Sequence, residues 1–374
     1  MAYIYNLRMK KILFLTPYVP SSRAGGENFT RLLLEELSKS NYIDLLYYRY
    51  ADDPSYVCPN ENVKVVKEII NSTFLKLKNY MMYPFVHPIF SVRFNRRVLK
   101  FVEKLVAANN YDFLYLDHSQ MALYGKYFPE MQKILMSHDV MAQRFSRQGN
   151  ALSKALVLKG EKSLMQLPNT TVFTFSEKDR KIIRNEYGID SRVTNFYLDD
   201  MVVNAYPRKI EKQLVFMGKW KRADNYDGIK WFFDNVYNNI DKSYKINIIG
   251  KWLPDDFVAQ IKNFPNVEYL GFVDNPYDLI ANSTATISPI FSGAGVKVKV
   301  VESLACGTPV IGNEIAFEGI SEEFSNFMIY ANEPKMYADK INGLDIDLNK
   351  RFEFKKSFLN NYQKQLISKY INSH

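Results

Sequence analysis

Cysteine and histidine are scarce in this chain: two of the first and four of the second in 374 residues. Cys58 and Cys306 cannot build a disulfide framework and no CxxC pair exists, so a reducing compartment is expected. His87, His118, His138 and His374 form no HExxH, and no Cys/His cluster accompanies them, which leaves no zinc ligand set. GxSxG is absent, and with it the support for Ser/His/Asp catalysis. Of the acidic pairs only Asp345 and Asp347 have DxD spacing, late in the chain, and no metal site is expected. No uninterrupted apolar run reaches the ~18 residues of a membrane-spanning helix. The opening MAYIYNLRMKKILFLTPYVP looks at first like a secretion signal. Thr16 and Pro17 stop its apolar run, however, and no small-residue cleavage site follows. It reads as a first buried strand, with Met9 as an alternative start and residues 1–8 as an extension.

Apolar residues are plentiful at 47% and aromatics at 15%, with 24% charged. Such a composition buries a large core and excludes a disordered chain. The length suits two domains better than one. Lys and Arg number 49 against 40 Asp and Glu, a net charge of +9. Residues 1–200 hold 28 basic and 20 acidic groups, net +8; the rest hold 21 and 20, net +1. A basic first half and a neutral second half suggest domains with different partners. Nucleic acid, an anionic membrane surface and phosphorylated substrates all fit that charge, but no RRM, KH, zinc or helix-turn-helix pattern supports nucleic acid.

Short apolar runs alternate with helical periodicity. Strands are predicted at 12–15, 42–48, 113–116, 134–136, 172–175 and 193–197, and helices at 29–37, 97–108, 151–167 and 177–187. The polar stretch 199–212 reads as a linker. Behind it strands are predicted at 214–217, 246–249, 267–270, 285–288 and 309–311, with helices between them, and the Lys-rich end reads as one final helix. The fold class is therefore α/β, two Rossmann-like domains with mainly parallel sheets. Ligands of such sheets bind beyond the carboxyl ends of the strands, so the loops there matter most.

In TPYVPSSRAGGEN, Gly25-Gly26 stand just before a helix, where bare amides attract phosphate; a tight turn needs glycine equally. In PIFSGAGVKVKVVESLACGTPVI, residues 289–311, Gly293 and Gly295 precede Lys297 and Lys299, and Glu302 follows on a helix. The glycines let an anion approach backbone amides, and the lysines add charge. Glu302 offers a carboxylate to two vicinal hydroxyls. A phosphate beside a diol describes a nucleotide diphosphate and its ribose. In FMGKWKRADNYDG, Lys219, Lys221 and Arg222 place three cations at a strand end, suited to clamping a phosphate pair. MSHDV puts His138 at a strand end, and LDHSQ repeats the pattern with Asp117 and His118, so either histidine fits a site. Residues 74–100 carry Lys76, Lys78, Arg93, Arg96, Arg97 and Lys100 and no acid, around Tyr80, Met81, Met82, Tyr83, Phe85, Val86, Ile89 and Phe90. That segment fits an anionic membrane interface, or a core segment with basic ends.

From 289 to 320 the chain resembles the donor-binding motif of retaining GT-B glycosyltransferases, glycosyltransferase family 4. The resemblance is carried by Gly293, Gly295, Lys297, Lys299, Glu302, Ala305, Gly307, Pro309-Val310 and Glu318-Gly319-Ile320. TPYVPSSRAGGEN, SHD at 137–139, FSEKD at 175–179 and VFMGKW at 215–220 extend it along most of the chain. It implies a GT-B fold with its domains facing across a cleft: 1–205 for the acceptor, 206–348 for a nucleotide sugar, and 349–374 as a helix crossing back. It implies that Glu302 holds the ribose and that Gly295, Val296 and Lys297 line the diphosphate, with Lys219 on it. By the same likeness Gly25 and Gly26 meet the donor phosphate, backbone at Phe272-Val273 contacts the base, and His138 stands at the reaction centre. Lys297 and His138 are then the catalytic candidates. The resemblance further implies retention of configuration, with neither cofactor nor metal. The acceptor it implies is a glycan or a lipid-linked glycan at the cytoplasmic membrane face, as in bacterial surface polysaccharide assembly. Lys76, Lys78, Arg93, Arg96 and Arg97 would meet that membrane or acceptor. Where the family often has a first glutamate, this chain has Ala294. A non-catalytic accessory subunit and a nucleotide-sugar epimerase are therefore the rival readings.

Overall fold

A computed structural model of the chain describes residues 8–23, 25–83, 86–148, 151–293, 295–362 and 366–374. The expectations placed on residues 1–7, Phe85, Ala294 and the Tyr80 side chain lie outside the described residues. The chain forms two units, one ending at Tyr197 and taking in the last helix, the other running from Leu198 to Gln363.

The first unit is built on β1 (Lys10–Thr16), β2 (Asn41–Arg49), β3 (Val63–Ile70), β4 (Phe113–Asp117), β5 (Lys133–Met136), β6 (Thr170–Thr174) and β7 (Arg192–Val193). They make one 7-stranded sheet in the order β3-β2-β1-β4-β5-β6-β7, parallel throughout. Ile12, Leu13, Phe14 and Leu15 are all 0% exposed. Helices cover both faces of such a strand, which is why its sequence is continuously apolar instead of alternating.

The second unit repeats the plan with β8 (Glu211–Met217), β9 (Lys245–Ile249), β10 (Val267–Gly271), β11 (Ser283–Ser288), β12 (Val310–Gly312) and β13 (Met328–Tyr330). Its 6-stranded sheet has the order β10-β9-β8-β11-β12-β13 and is also parallel. Leu214, Phe216, Ile246, Ile248, Ala285 and Ile287 join Phe232, Phe233 and Tyr337 in its core.

In each sheet the chain winds outward from the central strand and then returns to that strand's other side. The order reverses between β1 and β4 in the first unit and between β8 and β11 in the second. Loops leaving the two strands at such a point diverge and leave a crevice. The loops after β1, β4, β8 and β11 are among those singled out by their residues; His138 follows β5, the strand beside β4.

Three expectations need correction. The supposed linker contains a helix, Asp200–Asn204, whose N-cap Asp199 accepts a bond from the Met201 amide at 3.0 Å. Gly25 and Gly26 do not precede the first helix but open it, Gly25–Leu37. The final stretch holds two helices, Leu348–Tyr362 and Leu366–Ser373, not one. The first of these belongs to the second unit. There the buried Lys355 ammonium donates to the Ala305 carbonyl at 2.7 Å and to Val202 at 3.2 Å. A cation on the last carbonyls of the Val298–Ala305 helix opposes its negative end and anchors the helix that carries Glu302.

Candidate functional site

In the second unit the loop after β11 supplies the densest set of polar groups. Gly293 and Gly295 have φ of 102° and 73°, conformations that cost a side-chain-bearing residue 1–2 kcal/mol or so and glycine nothing. They turn the chain into the Val298–Ala305 helix, whose N-cap Lys297 makes no side-chain capping bond to its first amides. Lys297, at the N-cap of that helix, donates to the Gly295 carbonyl and lies 3.7 Å from the Glu318 carboxylate. Lys299 donates to Asn225 Oδ1 at 2.8 Å. Burial, with the nearby Arg222 and Lys297 charges, brings its ammonium down to about 8 against the pull of Asp224. Burial raises the Glu302 carboxyl to about 7; the neighbouring Tyr277 hydroxyl works against the rise and the Asp199 charge adds to it.

The neighbouring loops are held by backbone contacts. Gly218 after β8 donates to Ile249 O at 3.1 Å, and Gly250 after β9 donates to Gly271 O at 2.7 Å. The Ala223–Asn235 helix passes so near the end of β11 that a Cβ on Gly228 would stand 1.9 Å from Pro289 O. Lys219 lies over the half-exposed Trp252 ring at 5.0 Å. Arg222 makes a two-toothed pair with Asp224 at 3.0 and 2.7 Å, an exposed cation already partnered. Phe272 and Val273 follow β10, Phe272 60% exposed. Lys297, Lys299, Glu302 and the two glycines are thus brought together. Arg222 pairs with Asp224 and adds its charge at Lys299.

Tyr277, Asn225, Asp224 and Glu318 complete this set and were not assigned roles from the sequence. Tyr277 opens the helix after β10, a position whose signal is only the strand end before it.

The first unit holds a second cluster. Asp117 ends β4 and is 0% exposed. The Thr16 and Thr30 hydroxyls donate to its Oδ2 at 2.8 and 2.7 Å, and His138 Nε2 bonds Oδ1 at 2.7 Å. His118 and His138 stack with ring centroids 3.4 Å apart and planes 11° from parallel. Both histidines therefore belong to one site, with Asp117 between the two motifs as the residue that orients them. Burial works to raise the Asp117 carboxyl, but the histidine charges and the His138 and Thr30 bonds bring it down to about 2. Burial, helped by His138 and opposed by Asp117, brings His118 down to about 3. Gly26 lies against both rings: a Cβ there would meet His118 Cε1 and His138 Nδ1 at 3.3 Å each. Its lack of a side chain keeps the space beside Nδ1 clear. Phe29 and Phe175 close the other sides of His138 edge-on, at 5.4 and 5.2 Å.

Asp117, His118 and His138 lie close enough to share a cation, their ligand atoms within 4.8 Å of one another. The Nε2 atoms of both histidines face the Asp117 carboxylate, His138 at 2.7 Å from Oδ1 and His118 at 3.8 Å from Oδ2.

Replacing Asp117 by asparagine removes the charge that three donors address. A loss of about 2–3 kcal/mol is expected, read from urea unfolding at pH 7. Because the folded-state value is depressed, this contribution is complete above the ordinary carboxylate range and disappears as pH falls toward 2. The difference between wild type and Asp117→Asn should narrow over that window.

The basic segment 74–100 is divided by the fold. Helix Thr73–Met82 exposes Phe74, Leu77, Met81 and Met82, by 76, 58, 67 and 49%, with Lys78 among them. Arg96 and Arg97 open the helix Arg96–Ala108. Arg93 departs from the expectation of a surface cation: it is 3% exposed. No helix of the described residues is long and apolar enough to cross a membrane.

Comparison with known proteins draws these features together. Residues 211–345 match the family model of the glycosyl transferases group 1. The second unit is a group 1 glycosyl transferase domain. Likeness to solved structures extends over both units. Anabaena HepE in complex with UDP and glucose superposes with a TM-score of 0.66 at 15% identity, over 97% of this chain and 97% of that one. Sucrose-phosphate synthase from Thermosynechococcus elongatus gives 0.68 at 11% identity, over 97% and 98%. WaaG, a glycosyltransferase involved in lipopolysaccharide biosynthesis, gives 0.62 at 10% identity, over 97% and 98%. No curated protein matches the chain by sequence. The structural likenesses carry the GT-B fold over both units, and the family match carries the glycosyl transferase assignment for residues 211–345. The matched residues contain the whole Gly293–Glu302 group and Lys219.

Proposed function

We propose that this glycosyltransferase moves a sugar from a nucleoside-diphosphate sugar to an acceptor hydroxyl, with retention of configuration and without a bound metal. The observation that carries the reading is the loop after β11. Left-handed glycines, the start of the Val298–Ala305 helix, Lys297 and Lys299 form an anion site, and Glu302 stands beside it on the same helix. A diphosphate on the amides and a ribose diol on Glu302 satisfy both at once. As the bond to the sugar breaks, charge grows on the leaving diphosphate, and cations held in place beforehand stabilise it. His138, oriented by Asp117, serves the acceptor side. A relative in fold, HepE, was solved with UDP and glucose, which supports a uridine donor as the first to try.

The decisive experiment is release of nucleoside diphosphate from a panel of UDP-, GDP-, ADP- and dTDP-sugars. Release from one of them, accelerated by an acceptor, is expected. No release from any donor removes the reading, and donor interconversion without acceptor replaces it with epimerisation. Anomeric NMR of the product tests retention, and undiminished turnover in EDTA tests metal independence.

Donor affinity should follow pH in a way that names the residues. Below pH of about 7 Glu302 is protonated and accepts less well, and above about 8 Lys299 loses its charge. Affinity by calorimetry is expected to peak between these limits. Glu302→Gln should flatten the acid limb and leave the alkaline one. Stability should move oppositely on the acid side. The folded state holds the Glu302 proton more tightly than the unfolded chain, so its contribution declines as pH rises from the ordinary carboxylate range toward 7.

The same reading places the chain at an anionic membrane on the cytoplasmic side, acting on a glycan or lipid-linked acceptor in surface polysaccharide assembly. What supports it is the exposed apolar face of Thr73–Met82 with Lys78 beside it, near the basic start of Arg96–Ala108 in sequence. Flotation with vesicles containing anionic lipid is expected at low salt and should be lost on Phe74→Ser with Met81→Ser. Absence of flotation at low salt would exclude the contact.

A further inference from the structure

We propose that Arg93 forms the base of an oxyanion-binding subsite in the first unit, so that the acceptor carries a phosphoryl or carboxylate group apart from the hydroxyl that is glycosylated. The proposal rests on the transferase reading above and names its acceptor class.

Arg93 is 3% exposed, and its guanidinium faces three tyrosine rings, Tyr18, Tyr48 and Tyr50, at 5.4, 5.8 and 5.4 Å. Among the described residues only Nη2 has a polar partner, the Tyr50 hydroxyl at a long 3.4 Å. Nε and Nη1 are buried with none. Ring faces attract a cation but replace neither its lost hydration nor its hydrogen bonds, and an uncompensated buried charge is costly. A second cation stands close by. Lys76 Nζ lies 3.4 Å from the same Tyr50 hydroxyl and 4.9 Å from that ring. Burial pushes the Tyr50 phenol up, yet the bonds and charges of Arg93 and Lys76 outweigh it and bring the group below its ordinary value. The local field is therefore positive.

The position is that of a ligand site. Tyr18 follows β1, Tyr48 lies near the end of β2 with Tyr50 just beyond it, and Ser119 and Gln120 follow β4. These are the carboxyl ends on both sides of the β1/β4 reversal. Gln120 Nε2 donates to the Tyr18 hydroxyl at 3.2 Å, while Gln120 Oε1 and Ser119 Oγ are buried without partners among the described residues. The Tyr18 ring in turn meets His118 edge-on at 5.4 Å. An anion on Arg93 is thus linked through one tyrosine to the Asp117–His118–His138 cluster, where the reacting hydroxyl belongs. The planar guanidinium suits a two-oxygen anion, and its flat tyrosine walls suit a sugar ring. A neutral acceptor leaves the charge uncompensated and is disfavoured.

The test uses calorimetric binding of glucose 1-phosphate, glucuronate and methyl glucoside to wild type, Arg93→Met and Lys297→Ala. At least one charged probe should bind wild type roughly tenfold or more tightly than methyl glucoside, the difference of about one charge-assisted bond. Which of the two binds better distinguishes phosphoryl from carboxylate. Arg93→Met should abolish that preference, and Lys297→Ala should retain it. Because an unpaired buried charge is removed, Arg93→Met should also melt no lower than wild type. Equal binding of all three probes overturns the proposal. So does loss of binding in Lys297→Ala alone, which assigns the anion to the donor loop. So does a lower melting temperature in Arg93→Met with unaltered probe affinity, which assigns Arg93 a structural role. If Arg93→Met does not fold, Arg93→Lys and Tyr50→Phe carry the same comparison, with a severalfold loss for charged probes expected. Wild-type hydrolysis of the donor is measured separately. Its absence removes the transferase reading, whereas its presence with no charged-probe preference removes only the subsite.

Discussion

Lys297→Ala should lower kcat by roughly 10²–10³-fold while changing KM little, the loss seen when one group positioned for the developing charge is removed. The geometry behind this is the restraint on its ammonium. Lys297 is 10% exposed, bonded to the Gly295 carbonyl and 3.7 Å from Glu318. It is held at the mouth of the glycine loop before any donor arrives, so little reorganisation accompanies the chemical step. Steady-state kinetics with a uridine-diphosphate sugar check it. A raised KM with unchanged kcat would mean that Lys297 binds ground state and transition state alike. Lys297→Arg should recover only part of the rate, since a planar guanidinium does not reproduce a point charge at the same place.

Gly228→Ala should destabilise the second unit by about 4 kcal/mol or more, beyond the usual cost of overpacking. The reason is the partner: the added Cβ meets a backbone carbonyl, Pro289 O, at 1.9 Å. No rotamer change relieves a clash between a helix and a strand end. For a unit of this size the melting temperature should fall by roughly 10 °C. Pro289 opens the loop that contains Gly293 and Gly295, so any donor affinity that survives should be reduced as well. Gly188→Ala is the control. It has a positive φ of 72° but nothing within 4 Å of its Cβ, so only about 1 kcal/mol of backbone strain is expected. Comparable melting of the two variants would show that the Ala223–Asn235 helix can slide away from β11.

Some of this protein can be read along the chain because the interactions concerned are local. Buried parallel strands are continuous apolar runs, so β1, β4 and the Leu214–Met217 part of β8 stand out without any partner being known. Gly293, Gly295, Lys297, Lys299 and Glu302 lie within ten positions, on a turn and the helix it starts. Their spacing alone puts an anion site next to a carboxylate. The edge strand β3 is different. Lys64, Lys67 and Glu68 interrupt its valines, as suits a strand exposed at the sheet margin, and no apolar run announces it.

What lies far apart in sequence had to wait for the sheet register. His118 and His138 look like rival candidates until adjacent strands β4 and β5 end side by side and stack them over Asp117. Tyr277 acquires a role only when the helix after β10 comes against the one after β11 and sets it beside Glu302. Arg93 reads as one basic residue among six on a flank, and burial sets it apart. Charge is a property of the chain, but desolvation and partners are properties of packing. Composition could therefore count the cations of the first half, while only the fold could separate those that face water from the one enclosed by Tyr18, Tyr48 and Tyr50.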